Sequence, residues 1–301
     1  MGELERNYKN IIASYEHYNK VLEYLTRKNP EINMITTVIK NRRFLFYFLV
    51  VAVILVSSLS VLWLTPEQAA SGSPPSLLIY APLFGYMVLI TLPIIIKKYE
   101  GESFVWGRRF MKGVYLGFIL MTMIFLLELA SGLIHINEMT PEIKVTLISG
   151  IILQAIVALG EELPFRGYVL PDLEKRYGTW NAVFLSSALF SVLHVPSVLT
   201  LDVSNANIII MLVAITVAEV LLALCYLYDG LRMAIGFHFA WNFFQYHVYS
   251  LREGFGGMLV ISADSPIITG GELGPEAGIL GMSVLMIAFI IVFVWLQMKP
   301  R

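Results

Sequence analysis

Residues 145–166 read VTLISGIILQAIVALGEELPFR. Up to Gly160 the stretch carries no charged side chain; it then meets two acids, a proline and an arginine. A helix of about 20 residues spans the roughly 30 Å hydrocarbon core of a bilayer, so Val145–Pro164 reads as a membrane span that ends in ionisable groups. Seven more stretches have comparable length and apolarity: Phe44–Leu64, Ser76–Ile96, Lys112–Ile134, Trp180–Leu199, Asn207–Tyr228, Leu231–Ser250 and Gly278–Leu296. Backbone groups in lipid must be satisfied within the segment, which makes each of these a helix. The alternating ten-residue pattern of a membrane barrel is absent.

Composition agrees. Across 301 residues, 57% are hydrophobic and 14% charged, too few charges to coat a water-soluble globule of this size. The net charge of -1 gives no reason to expect nucleic acid. The single cysteine, Cys225, can form neither an internal disulfide nor a Cys-rich metal site. The expected fold is an all-α polytopic bundle of about eight transmembrane helices. Basic residues orient it. Of 21 Lys and Arg, only Lys144 and Arg252 fall on one side of an eight-span arrangement, and all the others fall on the opposite side. Both termini are therefore expected in the cytosol. Residues 1–43 read as a cytosolic segment in which Tyr8, Ile11, Ile12, Tyr15, Tyr18, Leu22 and Leu25 recur at helical spacing, an amphipathic helix on the membrane surface. Residues 44–298 read as the membrane domain, with about 145–250 as its core. The Gly-rich stretch 251–277 reads as a flexible external loop.

Ionisable side chains inside a bilayer are costly and usually mark function. Glu128 and Glu219 stand isolated in the third and sixth spans, and a structural role suits them. His247 lies near the external end of the seventh. Glu161 and Glu162 differ from these. Successive helical residues point about 100° apart, so the two carboxylates face different surroundings. Glu162 and Arg166 are spaced i, i+4 in the order that favours an ion pair, which leaves Glu161 as an unpaired carboxylate. Pro164 removes the bond to the carbonyl of Gly160 and is expected to kink or end the helix. Taken alone, these residues read equally well as interfacial acids beside a cytosolic Arg. His238 and Asn242, also i, i+4, share a helical face, and alone they read as a packed polar seam. His194 alone reads as a satisfied core residue.

Together, Glu161-Glu162-Leu-Pro-Phe-Arg166, Phe190-Ser-Val-Leu-His194 and His238-Phe-Ala-Trp-Asn242 resemble the successive motifs of the CAAX-protease and bacteriocin-processing family. These are intramembrane glutamate endopeptidases, and the family includes the type II CAAX prenyl proteases. The resemblance covers about residues 150–250. It implies a peptide hydrolase without a cofactor or metal, in which Glu161 and His194 activate a water, His238 and Asn242 stabilise the oxyanion, and Glu162 and Arg166 hold the site together. It also implies a prenylated CAAX-type protein or peptide as substrate, cleaved near its C-terminus. The protein would be a multi-pass integral membrane protein, in the cell membrane of a prokaryote or the endoplasmic reticulum of a eukaryote. Two other readings use the same residues. One is a zinc-dependent membrane protease ligated by Glu161, His194 and His238, although no His-Glu-x-x-His stretch is present. The other is a non-catalytic transporter or immunity protein whose buried Glu and His serve other ends.

Overall fold

A computed structural model describes residues 45–56, 81–198, 203–252 and 257–297. The amphipathic segment expected at 8–25 and both chain ends lie outside the described residues. Residues 1–52 and 53–301 are separate compact units. A short apolar helix, α1 (Leu45–Val56), crosses that division.

The second unit is predominantly helical. Its long helices are α2 (Ala81–Tyr99), α3 (Phe110–Ala130), α4 (Ile143–Pro164), α6 (Thr179–Val198), α7 (Asn205–Asp229) and α10 (Ile279–Gln297). Shorter ones are α5 (Leu170–Tyr177), α8 (Leu231–Asn242) and α9 (Pro266–Thr269). Four helical stretches are long and apolar enough to cross a membrane: Pro82–Tyr99, Phe110–Ala130, Ile143–Tyr177 and Asn205–Asp229. The other predicted spans fall on α1, α6, α8 and α10. Large apolar side chains such as Phe84, Ile95, Ile119, Ile148, Val192, Ile209 and Ile291 point outward. Apolar surface on this scale needs a non-aqueous neighbour, and lipid supplies one.

Helix α8 lies inside the bundle, packed on α3, α4 and α7. It approaches α3 backbone to backbone because α3 presents Gly113 and Gly117 there. A Cβ on Gly113 would lie 2.0 Å from the carbonyl oxygen of Met233, and one on Gly117 would lie 2.7 Å from that of Phe237. Small residues one turn apart are a common device for close helix packing where no hydrophobic effect drives association.

Three expectations are corrected. Pro164 does not end its helix. The chain continues through a π turn, Phe165–Val169, into α5. The amide of Phe165 donates to the carbonyls of Glu161 and Glu162, so the proline costs one backbone bond and the wider turn restores the ladder. The third span stops at Ala130 rather than reaching Ile134. Gly132, at φ +69°, turns the chain into strand β1 (Ile134–Met139), which pairs antiparallel with β2 (Leu259–Ala263). The stretch 251–277 is folded over its described part, as β2, α9 and two 3₁₀ turns, Gly271–Leu273 and Pro275–Ala277. Its glycines 270, 271 and 274 have positive φ, so they shape the turns.

Candidate active site

The ionisable side chains gather where the end of α4 meets α7, α8 and α2. Glu162 is fully buried, and its Oε1 accepts from Arg166 Nη1 at 3.0 Å, the i, i+4 pair expected from sequence. Arg166 is itself buried, in the π turn, and all five residues of that turn are buried. Its Nη2 donates to the carbonyl of Glu219 at 2.9 Å and lies 2.6 Å from Glu219 Oε2. Glu219 is therefore not isolated: a helix distant in sequence brings it to the arginine. One guanidinium thus holds two buried carboxyls, from α4 and α7. Removing one partner of such a group leaves an uncompensated charge in low dielectric, which is strongly destabilising.

His238, from α8, stands between the two adjacent glutamates. Its Nδ1 is 2.8 Å from Glu162 Oε1, and its Nε2 is 3.5 Å from Glu161 Oε2. The first contact orients the ring, in the way a carboxylate commonly fixes a working histidine. Glu161 and Glu162 are separated by exposure as well as direction: the Glu161 side chain is 15% exposed and that of Glu162 is 0%. Only Glu161 has room to meet a small reactant. It is not unpaired, however, since Tyr86 on α2 donates to its Oε1 at 2.7 Å.

The remaining predicted residues are linked to this core less directly. His194 Nδ1 is 3.0 Å from the carbonyl of Phe190, one turn earlier, and its ring stacks on that of Phe190 at 4.6 Å. Phe190 also meets Phe165 edge to face and lies under the Arg166 guanidinium, so His194 adjoins the group through one aromatic ring. Its helix begins at Thr179, which sets His194 well within the helix rather than near its start. Asn242 closes α8 one turn beyond His238 and is buried. Among the described residues its side chain makes no hydrogen bond. Also among the described residues, no cluster of three His, Cys, Asp or Glu is arranged to hold a metal ion.

Three polar contacts farther along the helices had no sequence signal. Glu276, on the second 3₁₀ turn, accepts from Trp241 Nε1 at 2.7 Å and Gln245 Nε2 at 2.8 Å. It thereby ties down the end of α8, at Asn242, together with the π-helical segment that follows it. Gln154 Nε2 lies 3.0 Å from His247 Nε2. His247 is buried, with its ring seated where a Cβ on Gly150 would be. Glu128 stays apart from the group, and its buried side-chain Oε1 has no hydrogen-bond partner among the described residues.

A buried arginine between carboxyls, a histidine bridging two glutamates, and one glutamate left partly open can support water activation next to hydrogen-bond donors. Comparison with known families gives one match. Residues 143–244 match the family model described as Type II CAAX prenyl endopeptidase Rce1-like. The match contains all three motifs from Glu161 to Asn242. At family level it supports a CAAX-type membrane protease, a hydrolase acting on prenylated proteins. No curated protein matches the chain.

Proposed function

We propose that the type II CAAX prenyl endopeptidase-like domain at residues 143–244 is an intramembrane hydrolase that cleaves prenylated CAAX-type substrates near their C-terminus with a glutamate-activated water. The observation that carries this reading is the unequal pair: Glu161 is partly open and faces His238, whereas Glu162 is sealed against Arg166.

In this mechanism Glu161 Oε2 takes a proton from a water oriented with the help of His194. The water oxygen forms a bond to the scissile carbonyl carbon, and the carbonyl electrons move onto its oxygen. Asn242 and the Nε2–H of His238 donate to that oxyanion. Carrying both protons, His238 spends its Nδ1–H on Glu162 and keeps Nε2–H for the reaction. Collapse breaks the C–N bond, and Glu161 returns its proton to the leaving amine. Glu162, Arg166 and Glu219 keep His238 in place. A general base contributes about 10²–10⁴-fold, and each oxyanion donor about 10²–10³-fold. Both act mainly in the transition state, so their loss lowers turnover more than substrate binding. No role in this scheme requires a cofactor.

The proposal includes eight spans with both termini cytosolic and residues 1–43 as a surface segment. A prenyl chain would then enter from the bilayer while the peptide reaches a site opening towards the cytosol. The host membrane would be the cell membrane of a prokaryote or the endoplasmic reticulum of a eukaryote. The test is incubation of the purified protein, in lipid and excess chelator, with a farnesylated CAAX peptide and its unprenylated counterpart. Mass detection of a tripeptide released from the prenylated peptide alone is expected. Activity that returns only on adding Zn²⁺ would favour the zinc reading, and no cleavage of either peptide would remove the substrate assignment.

A further inference from the structure

Tyr86 lies on α2, outside the matched segment 143–244, yet it makes a direct hydrogen bond to the proposed base. Its hydroxyl donates to Glu161 Oε1 at 2.7 Å. A second feature shows that the chain is built around this contact. Gly160, the residue before the glutamate, lies under the Tyr86 ring, and a Cβ there would be 2.5 Å from Tyr86 Cδ1. No side chain larger than hydrogen fits at 160 while the ring keeps its place. The phenol and the missing Cβ come from different helices and serve the same contact.

The consequence concerns which carboxylate oxygen can react. A glutamate side chain in a partly open site samples several rotamers. With Oε1 held by Tyr86, the Glu161 carboxylate plane is fixed and Oε2 is turned to the side where His238 Nε2 stands, at 3.5 Å. A base that must meet a water and a peptide carbonyl at a set distance gains from such fixing, since small misplacements of reacting groups are costly in rate. The bond acts on the base, not on the peptide.

Resting on the reading of Glu161 as the water-activating base, we infer that Tyr86 is a positioning residue for the hydrolysis, aiming Glu161 by holding one of its oxygens. It brings α2 into the catalytic machinery although the family match does not reach that helix.

The experiment compares wild type, Tyr86→Phe and Glu161→Gln in lipid, measuring kcat, KM, Tm and the infrared carboxylate stretch. Phenylalanine keeps the ring on Gly160 and removes only the donor. The Glu161 band is identified as the one lost in Glu161→Gln. For Tyr86→Phe the expected result is kcat lower by about 10- to 100-fold, as for loss of a hydrogen bond to a charged group, KM within about twofold, an unchanged Tm, and a displaced Glu161 band. A lower Tm with kcat intact would reduce Tyr86 to a packing residue and overturn the inference. A Glu161 band that does not move overturns it whatever the rate. Full activity in Glu161→Gln would instead overturn the reading on which the inference rests. The band would still report the contact, so the two failures are distinguishable.

Discussion

At the scale of single residues, the arrangement turns on two neighbouring carboxyls with different partners. Glu162 accepts from Arg166 and meets His238 through the same oxygen, and it is sealed from solvent. Replacing it by glutamine leaves the buried guanidinium short of one counter-charge and gives the His238 ring an amide in place of a carboxylate. Breaking a buried pair typically costs about 3–5 kcal/mol, and the neutral amide recovers part of that through its own hydrogen bonds. Glu162→Gln is therefore expected to lower Tm clearly and to leave partial turnover, both measured on the purified variant in lipid. Unchanged Tm would mean that the pair does not hold the site. The i, i+4 spacing made this pair legible from sequence, because helix geometry alone brings the two side chains together. Glu219 read as isolated because its partner lies on another helix, 53 residues away. Nothing in local spacing could pair Tyr86 with Glu161 or Glu276 with Trp241, since those contacts exist only once the helices are packed.

At the scale of elements, the position of α8 governs where His238 and Asn242 stand, and α3 governs α8 through its glycine face. Gly117→Leu would drive a side chain into the backbone of Phe237 and Trp241. Overpacking of this kind costs about 1–3 kcal/mol even where side chains can yield, and here backbone must move. Loss of most activity together with a lower Tm is expected, whereas a variant with normal Tm and rate would show that the close approach is dispensable. A second joint lies where α2 meets α5. Lys97 and Lys175 both donate to Glu102, at 2.8 and 2.7 Å. Partial burial opposes the charge on Glu102, but the hydrogen bonds and charges of the two lysines outweigh it and lower its pKa to about 2. Because the folded value lies below the ordinary 4.5, the contribution to stability is complete above about pH 4.5 and is lost as pH falls towards 2. The Tm difference between wild type and Glu102→Gln should be steady at neutral pH and shrink through that window. A difference that persists at about pH 2 would contradict the linkage. Hydropathy located the long helices, since lipid demands runs of apolar residues. It missed the β1–β2 ribbon because six- and five-residue strands leave too short a pattern. The missing backbone N–H of Pro164 did not stop the chain's helical path, because a π turn re-forms the ladder.

At the scale of the whole molecule, contacts between connections divide the second unit into two faces. The amides of Leu231 and Arg232 donate to the carbonyls of Val105 and Trp106, and Lys175 reaches Glu102. The connections after α2, at α5 and after α7 therefore share one face. Pairing of β1 with β2 joins the connection after α3 to the stretch 257–277. With the basic residues placed in the cytosol, a cysteine at exposed Ser262 should react with an impermeant maleimide on intact cells. One at exposed Ser103 should react only after the membrane is opened, and buried Cys225 gives no background. The reverse pattern would invert the protein. The family match over 143–244 supports a CAAX-type membrane protease, and the proposed base is the partly exposed, tyrosine-held Glu161. The most direct test is the initial rate of tripeptide release from a farnesylated CAAX peptide by wild type and Glu161→Gln, at matched Tm. Glutamine keeps the shape but cannot take a proton, so the rate should fall by about 10²–10⁴-fold. Equal rates for the two proteins would contradict the account.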